Sequence, residues 1–398
     1  MALAVFLLPV GRWLSLSVPS ARVTAIIYLL ALQILVLILW GQLASPYRAI
    51  GRAYRGVMWL NLQKLAMLAV TVAAVALKQS FMILALLQLG VALLSLASVW
   101  LDLKLKFNDV SVKPIRMEWS LAKEIIRPSL YFSLFVFNNF LIYQLPVLIL
   151  NRFETPLAII VFSVGRTLFS FVRQGLSVIQ ASIGPEITRL EGIKDWANLK
   201  RLYQSAESLT ISAAVVVNTV IFTASPVLLQ VWMKRTDIFV FKPMLFLMLI
   251  AAVICLKDFK FYYQSMTNRH EKMAIIMFVT YIAMTVLSFW SIKYKGLNGF
   301  LMTWLAVETI QLLVINKYNN DLFIDFFKMS LKPIVSTLST LFALTVIFVL
   351  FKDRLTNQTP YMIIAQSLII GAVIFIAAYR YIGLRECFKL LYKQLKHS

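Results

Sequence analysis

The sequence predicts an all-α polytopic membrane protein, and two observations lead to this fold class. Hydrophobic residues make up 61% of the 398 positions and charged residues only 14%. One soluble core of this length could not bury so much apolar surface. The apolar residues also fall into runs of about 20, the length a helix needs to cross a hydrocarbon core of about 30 Å. The chain is therefore expected to cross a membrane many times.

Taken in order, the runs predict about eleven full transmembrane helices after a partial one. The opening run, residues 1–10, is too short to cross alone, because a helix rises only about 1.5 Å per residue. Each later run is separated from the next by charged or polar residues, and no connection is long enough for a soluble domain. The predicted spans are residues 23–43, 57–77, 81–101, 129–150, 156–183, 209–225, 239–256, 273–292, 297–315, 333–351 and 360–379.

Basic residues predict the side of the membrane that each connection faces. Most of the 39 Lys and Arg residues lie in alternate connections and in the tail, and short cytoplasmic loops hold an excess of these residues. The connections 48–55, 104–127, 189–201, 257–272 and 317–332, with the C-terminus, are therefore predicted to be cytoplasmic. The net charge of +22 then reflects membrane topology and does not indicate nucleic-acid binding.

The C-terminal tail has an amphipathic pattern. Apolar residues repeat at helical spacing while basic residues take another face, which predicts a basic helix lying on anionic lipid. A solvated, frayed tail is the alternative. The apolar positions are Leu384, Phe388, Leu391 and Leu395.

The predicted span 156–183 carries two arginines. Arg166 and Arg173 are seven residues apart, so they point in the same direction from a helix. A charge in the middle of a membrane is costly, so this face should meet a protein interior or a water-filled cavity. We expect the stripe to bind substrate, although the arginines could instead only tie helices together or extend to the membrane surfaces. The polar stripe consists of Ser163, Arg166, Ser170, Arg173, Ser177 and Gln180.

Other polar residues within the spans are weaker candidates. Glu308 could carry a proton or a sodium ion for coupling, or it could be a satisfied structural carboxyl. Lys64 could extend to the cytoplasmic surface or reach a cavity. His270 is expected to have a surface role in a basic loop. Three amides could line a cavity or bond between helices, and these are Asn138, Asn139 and Gln144.

Motifs for catalysis are absent from the sequence. It contains no DxD or HExxH motif, no phosphate-binding glycine loop and no G-x-S-x-G motif. Cys255 and Cys387 are too few and too far apart for a disulfide framework or a metal site. We therefore predict a protein that is not an enzyme and that uses no cofactor and no metal.

Several segments resemble a known family. These are RPSLYFSLFVFNN (127–139), QLPVLILNRF (144–153), VFSVGRTLFSFVRQ (161–174), GPEITRLEG (184–192) and KDFKFYYQSMTNRHEKMA (257–274). They are similar to bacterial polysaccharide biosynthesis membrane proteins of the O-antigen flippase type. The superfamily also contains multidrug exporters and the lipid II flippase. The resemblance covers most of the chain from about residue 45. It rests on the pattern of helices and on short sequence segments in the loops.

The resemblance implies two six-helix lobes around a central cavity in the bacterial inner membrane. Alternating access would carry an undecaprenyl-pyrophosphate-linked glycan from the cytoplasmic to the outer leaflet. Positive residues attract the pyrophosphate in such cavities, which agrees with Arg166 and Arg173. Membrane lipid and other polysaccharide-assembly membrane proteins are the further partners that it implies, with no nucleic acid.

The resemblance also divides the chain. Residues 1–128 correspond to the remainder of a first lobe and its cytoplasmic linker, 129–316 to a second six-helix lobe, and 317–398 to two additional helices and the basic tail. Family members commonly have twelve or fourteen spans, so two helices and part of a third are expected upstream of Met1. About 60 to 90 further codons in frame would encode them.

Two rival functions remain open. A cation-coupled multidrug-type exporter of the same fold would need acidic residues in its cavity, whereas the arginine stripe is cationic. A membrane glycan polymerase or glycosyltransferase would need a large outer loop or an acidic motif, and the sequence contains neither.

Overall fold

The computed structural model describes residues 20–49, 52–107, 119–235, 237–267, 269–322, 331–351 and 360–381. Every regular element in these ranges is a helix. The chain forms two compact units, Met1–Met117 and Glu118–Ser398, which are considered separately. The helices of the first unit are α1 (Ser20–Ala44), α2 (Pro46–Ala49), α3 (Ala53–Ala76) and α4 (Phe81–Lys106).

The second unit contains the longer helices. A single π-helical turn, Phe140–Gln144, interrupts the helical run between α5 and α6. The helices are α5 (Trp119–Asn139), α6 (Leu145–Phe153), α7 (Pro156–Gly192), α8 (Trp196–Met233), α9 (Phe241–Met266), α10 (Glu271–Leu322), α11 (Lys332–Leu350) and α12 (Pro360–Tyr381).

Eight helices in the described ranges are long and apolar enough to cross a membrane. This confirms the all-helical fold class and indicates a membrane-embedded protein with several spans. Helix α9 is not among the eight, because charged residues interrupt its apolar sequence. The predicted number of eleven spans and the arrangement in lobes stay predictions. The eight are Val23–Ala44, Tyr54–Ala76, Phe81–Lys106, Ser129–Phe153, Pro156–Val178, Trp196–Met233, Glu271–Leu322 and Lys332–Leu350.

The first unit is organised around the C-terminal end of α4. Helices α1 and α3 both pack against α4. Asp102 of α4 is buried and accepts hydrogen bonds from the Tyr47 hydroxyl at 2.5 Å, the Arg55 guanidinium at 2.9 Å and the Trp59 indole N–H at 3.4 Å. The Lys106 ammonium lies 3.4 Å from the same carboxylate. Arg55 and Lys106 lie in connections that are predicted on the same side of the membrane, and both bind the Asp102 carboxylate.

Helix α9 occupies the centre of the second unit. It packs against α7, α8 and α10, while α11 and α12 pack on α8 and α5 packs on α10. Its apolar face belongs to a core that includes Met244, Met248 and Leu256. Because three long helices pack around it, the buried polar side chains of α9 need partners inside the protein.

Helix α10 contains two predicted spans in one element. The chain reverses at Gly296, which has φ 58° and ψ −147°, a combination that only glycine adopts readily. The Tyr281 hydroxyl contacts Glu308 and the Thr280 hydroxyl contacts Gln311, so the two arms run antiparallel. The predicted spans 273–292 and 297–315 correspond to these arms.

The prediction of a loop over residues 257–272 was wrong for most of its length. Helix α9 continues to Met266, and its polar residues Lys257 and Lys260 are buried. The surface role expected for His270 was also wrong, because only 1% of the residue is exposed. Its ring lies 5.7 Å from that of Phe135, and burial lowers the pKa of the imidazole. Residues 1–10 and the amphipathic tail, predicted as a partial span and a surface helix, lie outside the described residues.

Candidate functional site

The two arginines of the predicted stripe lie on α7. This helix begins after Thr155, whose hydroxyl accepts a hydrogen bond from the Ala158 N–H at 3.3 Å, and Pro156 occupies its first turn. Proline suits that position because its missing N–H would have no partner there anyway. Arg166 and Arg173 are both partly buried. Their side chains therefore lie among neighbouring helices, as their spacing predicted.

Tyr143 joins the two arginines. Its carbonyl oxygen accepts a hydrogen bond from Arg166, and its hydroxyl accepts one from Arg173. Each guanidinium carbon lies 5.5 Å from the centroid of the Tyr143 ring, within range of a cation–π interaction. A single small ligand beside this ring could contact both cations.

The π-helical turn positions Tyr143. Pro146 has no backbone N–H, so the usual helical bond to the carbonyl four residues earlier is missing. The N–H of Leu145 instead bonds to the carbonyl of Phe140, five residues before it. Such wider turns often occur at functional sites. No sequence pattern singles out Tyr143, although Pro146 in the middle of an apolar run is a signal of local distortion.

Arg173 has an acidic partner that the sequence analysis did not identify. Its Nε lies 2.5 Å from Asp258 Oδ2, which makes an ion pair between α7 and α9. The Asp258 side chain is 21% exposed and the Arg173 side chain 36%. Asp258 falls in the predicted connection 257–272. That position gives no indication that it pairs with a residue inside a span.

Arg166 differs from Arg173 in its partners. Besides the Tyr143 carbonyl, it lies over the rings of Tyr143 and Phe162, at 5.5 Å and 5.4 Å. In the described part of the chain, no carboxylate lies within ion-pairing distance of Arg166. Among the described residues, its guanidinium therefore contacts neutral oxygen and aromatic groups and no counter-charge.

Both arginines line one cavity. The cavity volume is about 30 Å³, and its polar wall comes from Tyr143, Arg166, Ser170 and Arg173. The rest of the lining is apolar. It is built from Phe169, Leu247, Ile250, Ala251, Ile254 and Trp304.

A buried ion pair lies next to the cavity. Lys257 of α9 donates to Glu308, to the Tyr281 hydroxyl at 2.5 Å and to the Gln311 amide oxygen at 2.8 Å. Glu308 also accepts from the Trp304 indole N–H at 2.9 Å and from the Tyr281 hydroxyl at 3.0 Å. Three donors therefore surround a carboxylate that has no exposed surface. Of the two roles considered for Glu308, this arrangement favours the satisfied structural carboxyl.

A second buried ion pair lies further along α9. Lys260 donates to Glu207 of α8, and the backbone carbonyl of Lys260 accepts from the Asn319 amide at 3.0 Å. The Gln264 amide donates to Asn319 at 2.7 Å. Lys257, Lys260 and Gln264 thus follow helical spacing along one side of α9, and each has a buried partner.

No family model and no curated protein matches the chain. A function can therefore be inferred only from the cavity and its charges.

The remaining predicted site residues do not all meet at the cavity. The Ser170 and Ser177 hydroxyls donate to carbonyls of their own helix at 2.7 Å, and Ser177 is exposed. Gln180 is buried on the same helix but does not line the cavity. Among the described residues, groups of three or more metal-binding side chains are not found.

The other polar candidates fall into two classes. Asn138 is buried, and neither polar atom of its amide has a hydrogen-bond partner among the described residues. Asn139 and Gln144 are exposed, as is Lys64 on α3 of the first unit. Their proposed roles in lining a cavity stay predictions.

Proposed function

We infer that the protein translocates a polyprenyl-pyrophosphate-linked oligosaccharide across the bacterial inner membrane for polysaccharide biosynthesis. This places it with the O-antigen-type flippases and makes it a transporter with no enzymatic activity. The inferred architecture has about eleven full spans and an N-terminal partial one in two lobes, with the C-terminus in the cytoplasm. Membrane lipid and other polysaccharide-assembly membrane proteins are its further expected partners.

The observation that carries the proposal is the Arg166 charge. An unneutralised guanidinium is expensive to keep among apolar helices, and an anionic ligand would offset that cost. A pyrophosphate concentrates negative charge and accepts charge-assisted hydrogen bonds from guanidinium groups. Arg173 lies beside the same Tyr143 ring and can provide a second contact.

The two rivals fit this cavity less well. A multidrug-type exporter binds cations, and the two acids that contact cavity residues, Asp258 and Glu308, are already paired with Arg173 and Lys257. A glycan polymerase or glycosyltransferase would need paired carboxylates or a metal near its substrate. The cavity wall instead presents two guanidiniums, a phenol and a hydroxyl.

Replacing Arg166 tests the proposal directly. We expect Arg166→Ala to weaken binding of geranyl pyrophosphate to the purified protein by about ten- to hundredfold, the worth of one or two charge-assisted hydrogen bonds. Arg166→Lys should keep part of the affinity and Arg166→Gln should not, because charge matters more than reach. Isothermal titration calorimetry in detergent would measure the affinities.

Polysaccharide export and membrane abundance should be measured on the same Arg166 variants. Export should fall while abundance stays close to that of the wild type, and lipid-linked repeat units should remain on the cytoplasmic side. Arg201→Ala, at an exposed arginine of α8, is the matched control and should leave export unchanged. If export falls only in proportion to abundance, Arg166 is structural and the assignment fails.

The inferred topology has its own test. In a variant without its natural cysteines, a cysteine at Ser111 should resist a membrane-impermeant thiol reagent in whole cells, whereas one at Thr356 should react. Both positions lie outside the described residues. The reverse labelling pattern would overturn the predicted orientation.

A further inference from the structure

We propose that Asp258 is an internal competitor for the anion site, a carboxylate that holds Arg173 until a phosphate oxygen of the ligand replaces it. The proposal rests on the proposed function and adds a residue that sets the affinity of the site. It concerns the class of ligands with a phosphate or pyrophosphate group.

The two arginines differ in their acidic partners. Arg166 and Arg173 line the same cavity and contact the same tyrosine, but only Arg173 has an acidic partner in the described structure. A ligand anion therefore meets one guanidinium that is free of carboxylate and one that is occupied. Binding to both requires that Asp258 give up Arg173.

The ion pair between Arg173 and Asp258 is held by a single hydrogen bond. Arg173 can present two parallel N–H groups to a carboxylate, the strongest arrangement. Here it uses only Nε for Asp258, and Nη1 bonds to the Tyr143 hydroxyl. Asp258 Oδ1 accepts no hydrogen bond within the described ranges. A single-point pair of this kind can be exchanged for a phosphate that engages more of the guanidinium.

Asp258 is more exposed than Glu308 and Glu207, two other paired acids of the second unit. Glu308 is fully buried and has three donors, and Glu207 is buried against Lys260. Asp258 retains 21% exposure of its side chain, so it can be solvated when it leaves Arg173. An exchange of carboxylate for phosphate also keeps Arg173 neutralised at each stage, which avoids an unpaired charge in the protein.

If Asp258 competes with the ligand for Arg173, it should lower the affinity of the protein for the ligand. A site that is available only part of the time binds with an affinity reduced by that fraction. Asp258→Asn removes the competing charge and keeps the shape of the side chain. Geranyl pyrophosphate, titrated into the purified full-length protein in detergent, should then bind about three- to tenfold more tightly.

A double variant distinguishes competition from a general field effect. In the Arg173→Gln variant, Asp258 has no guanidinium to occupy. Adding Asp258→Asn to that variant should therefore change the affinity for geranyl pyrophosphate by less than about twofold. A through-space effect of the Asp258 charge on the ligand would persist in that background and would overturn the proposal. Glu186→Gln is the matched control, because Glu186 pairs with Arg189 on α7 away from the cavity. It should leave the affinity unchanged.

The outcomes separate this proposal from the proposed function. If the wild type binds the probe through Arg166 but Asp258→Asn binds equally or less tightly, the competitor role is refuted and the function stands. If the wild type does not bind geranyl pyrophosphate, both are refuted. If Asp258→Asn does not give monodisperse protein, Asp258→Ser tests the same expectation. Asp258→Glu, which keeps the charge, should not bind more tightly than the wild type.

Discussion

Lys257→Met is expected to lower the free energy of unfolding by about 3–5 kcal/mol, because it leaves the buried carboxylate of Glu308 without a cation. Glu308 has no exposed surface, and its remaining donors, Tyr281 and Trp304, are neutral. Thermal unfolding of the purified protein in detergent, followed by size-exclusion chromatography, would measure the loss. Membrane abundance in cells should fall with it.

The double variant Lys257→Met, Glu308→Gln is the informative comparison. It removes both charges and keeps an oxygen that can accept from Tyr281 and Trp304, so most of the stability should return. Lys317→Met, at an exposed lysine of α10, is the matched control and should change stability by less than about 0.5 kcal/mol. Equal losses in the single and the double variant would show that the two residues do not depend on each other.

Gly299→Ala is expected to destabilise the second unit by about 2–4 kcal/mol, because the two arms of α10 approach each other too closely for a side chain there. A Cβ atom at this position would overlap the carbonyl oxygen of Ser291 and lie 2.7 Å from its carbonyl carbon. Backbone atoms cannot move aside as a flexible side chain can. The same unfolding assay would report the loss.

Gly175→Ala provides the matched control for that substitution. Gly175 lies on α7, and a Cβ atom there would meet no atom within 4 Å. Alanine is the better helix former by about 1 kcal/mol, so this variant should be as stable as the wild type or slightly more stable. If both glycine variants behave alike, the close approach of the α10 arms has no energetic importance.

The sequence was sufficient to predict an all-helical protein with several helices long enough to cross a membrane, because an apolar run of about 20 residues is a local property. It was not sufficient to predict where α9 ends. Lys257 and Lys260 were treated as loop residues, since charges usually mark the end of a span. Their partners, Glu308 and Glu207, are more than 50 residues away. The spacing of Lys257, Lys260 and Gln264 along a helical face was the available local signal.

The candidate site could be predicted only in part for the same reason. The seven-residue spacing brought Arg166 and Arg173 to one cavity, as expected from helical geometry alone. Tyr143 and Asp258 complete that site through contacts of 23 and 85 residues in sequence separation. No local pattern encodes such pairs. Helical spacing alone can also mislead. Ser177 belongs to the polar stripe by its spacing, but it is exposed.

The charges on α9 also bear on how the protein enters the membrane. A lysine costs about 2.5–3.5 kcal/mol when a single helix is placed in the bilayer, and α9 carries Lys257 and Lys260 close together. Helices α7 and α8 are synthesised first, so Arg173 and Glu207 are already present when Asp258 and Lys260 leave the ribosome. Glu308, the partner of Lys257, is synthesised only about 50 residues later. We therefore expect α9 to stay in contact with α7 and α8 during synthesis. Its full insertion into the bilayer should follow only after the second arm of α10 has been synthesised.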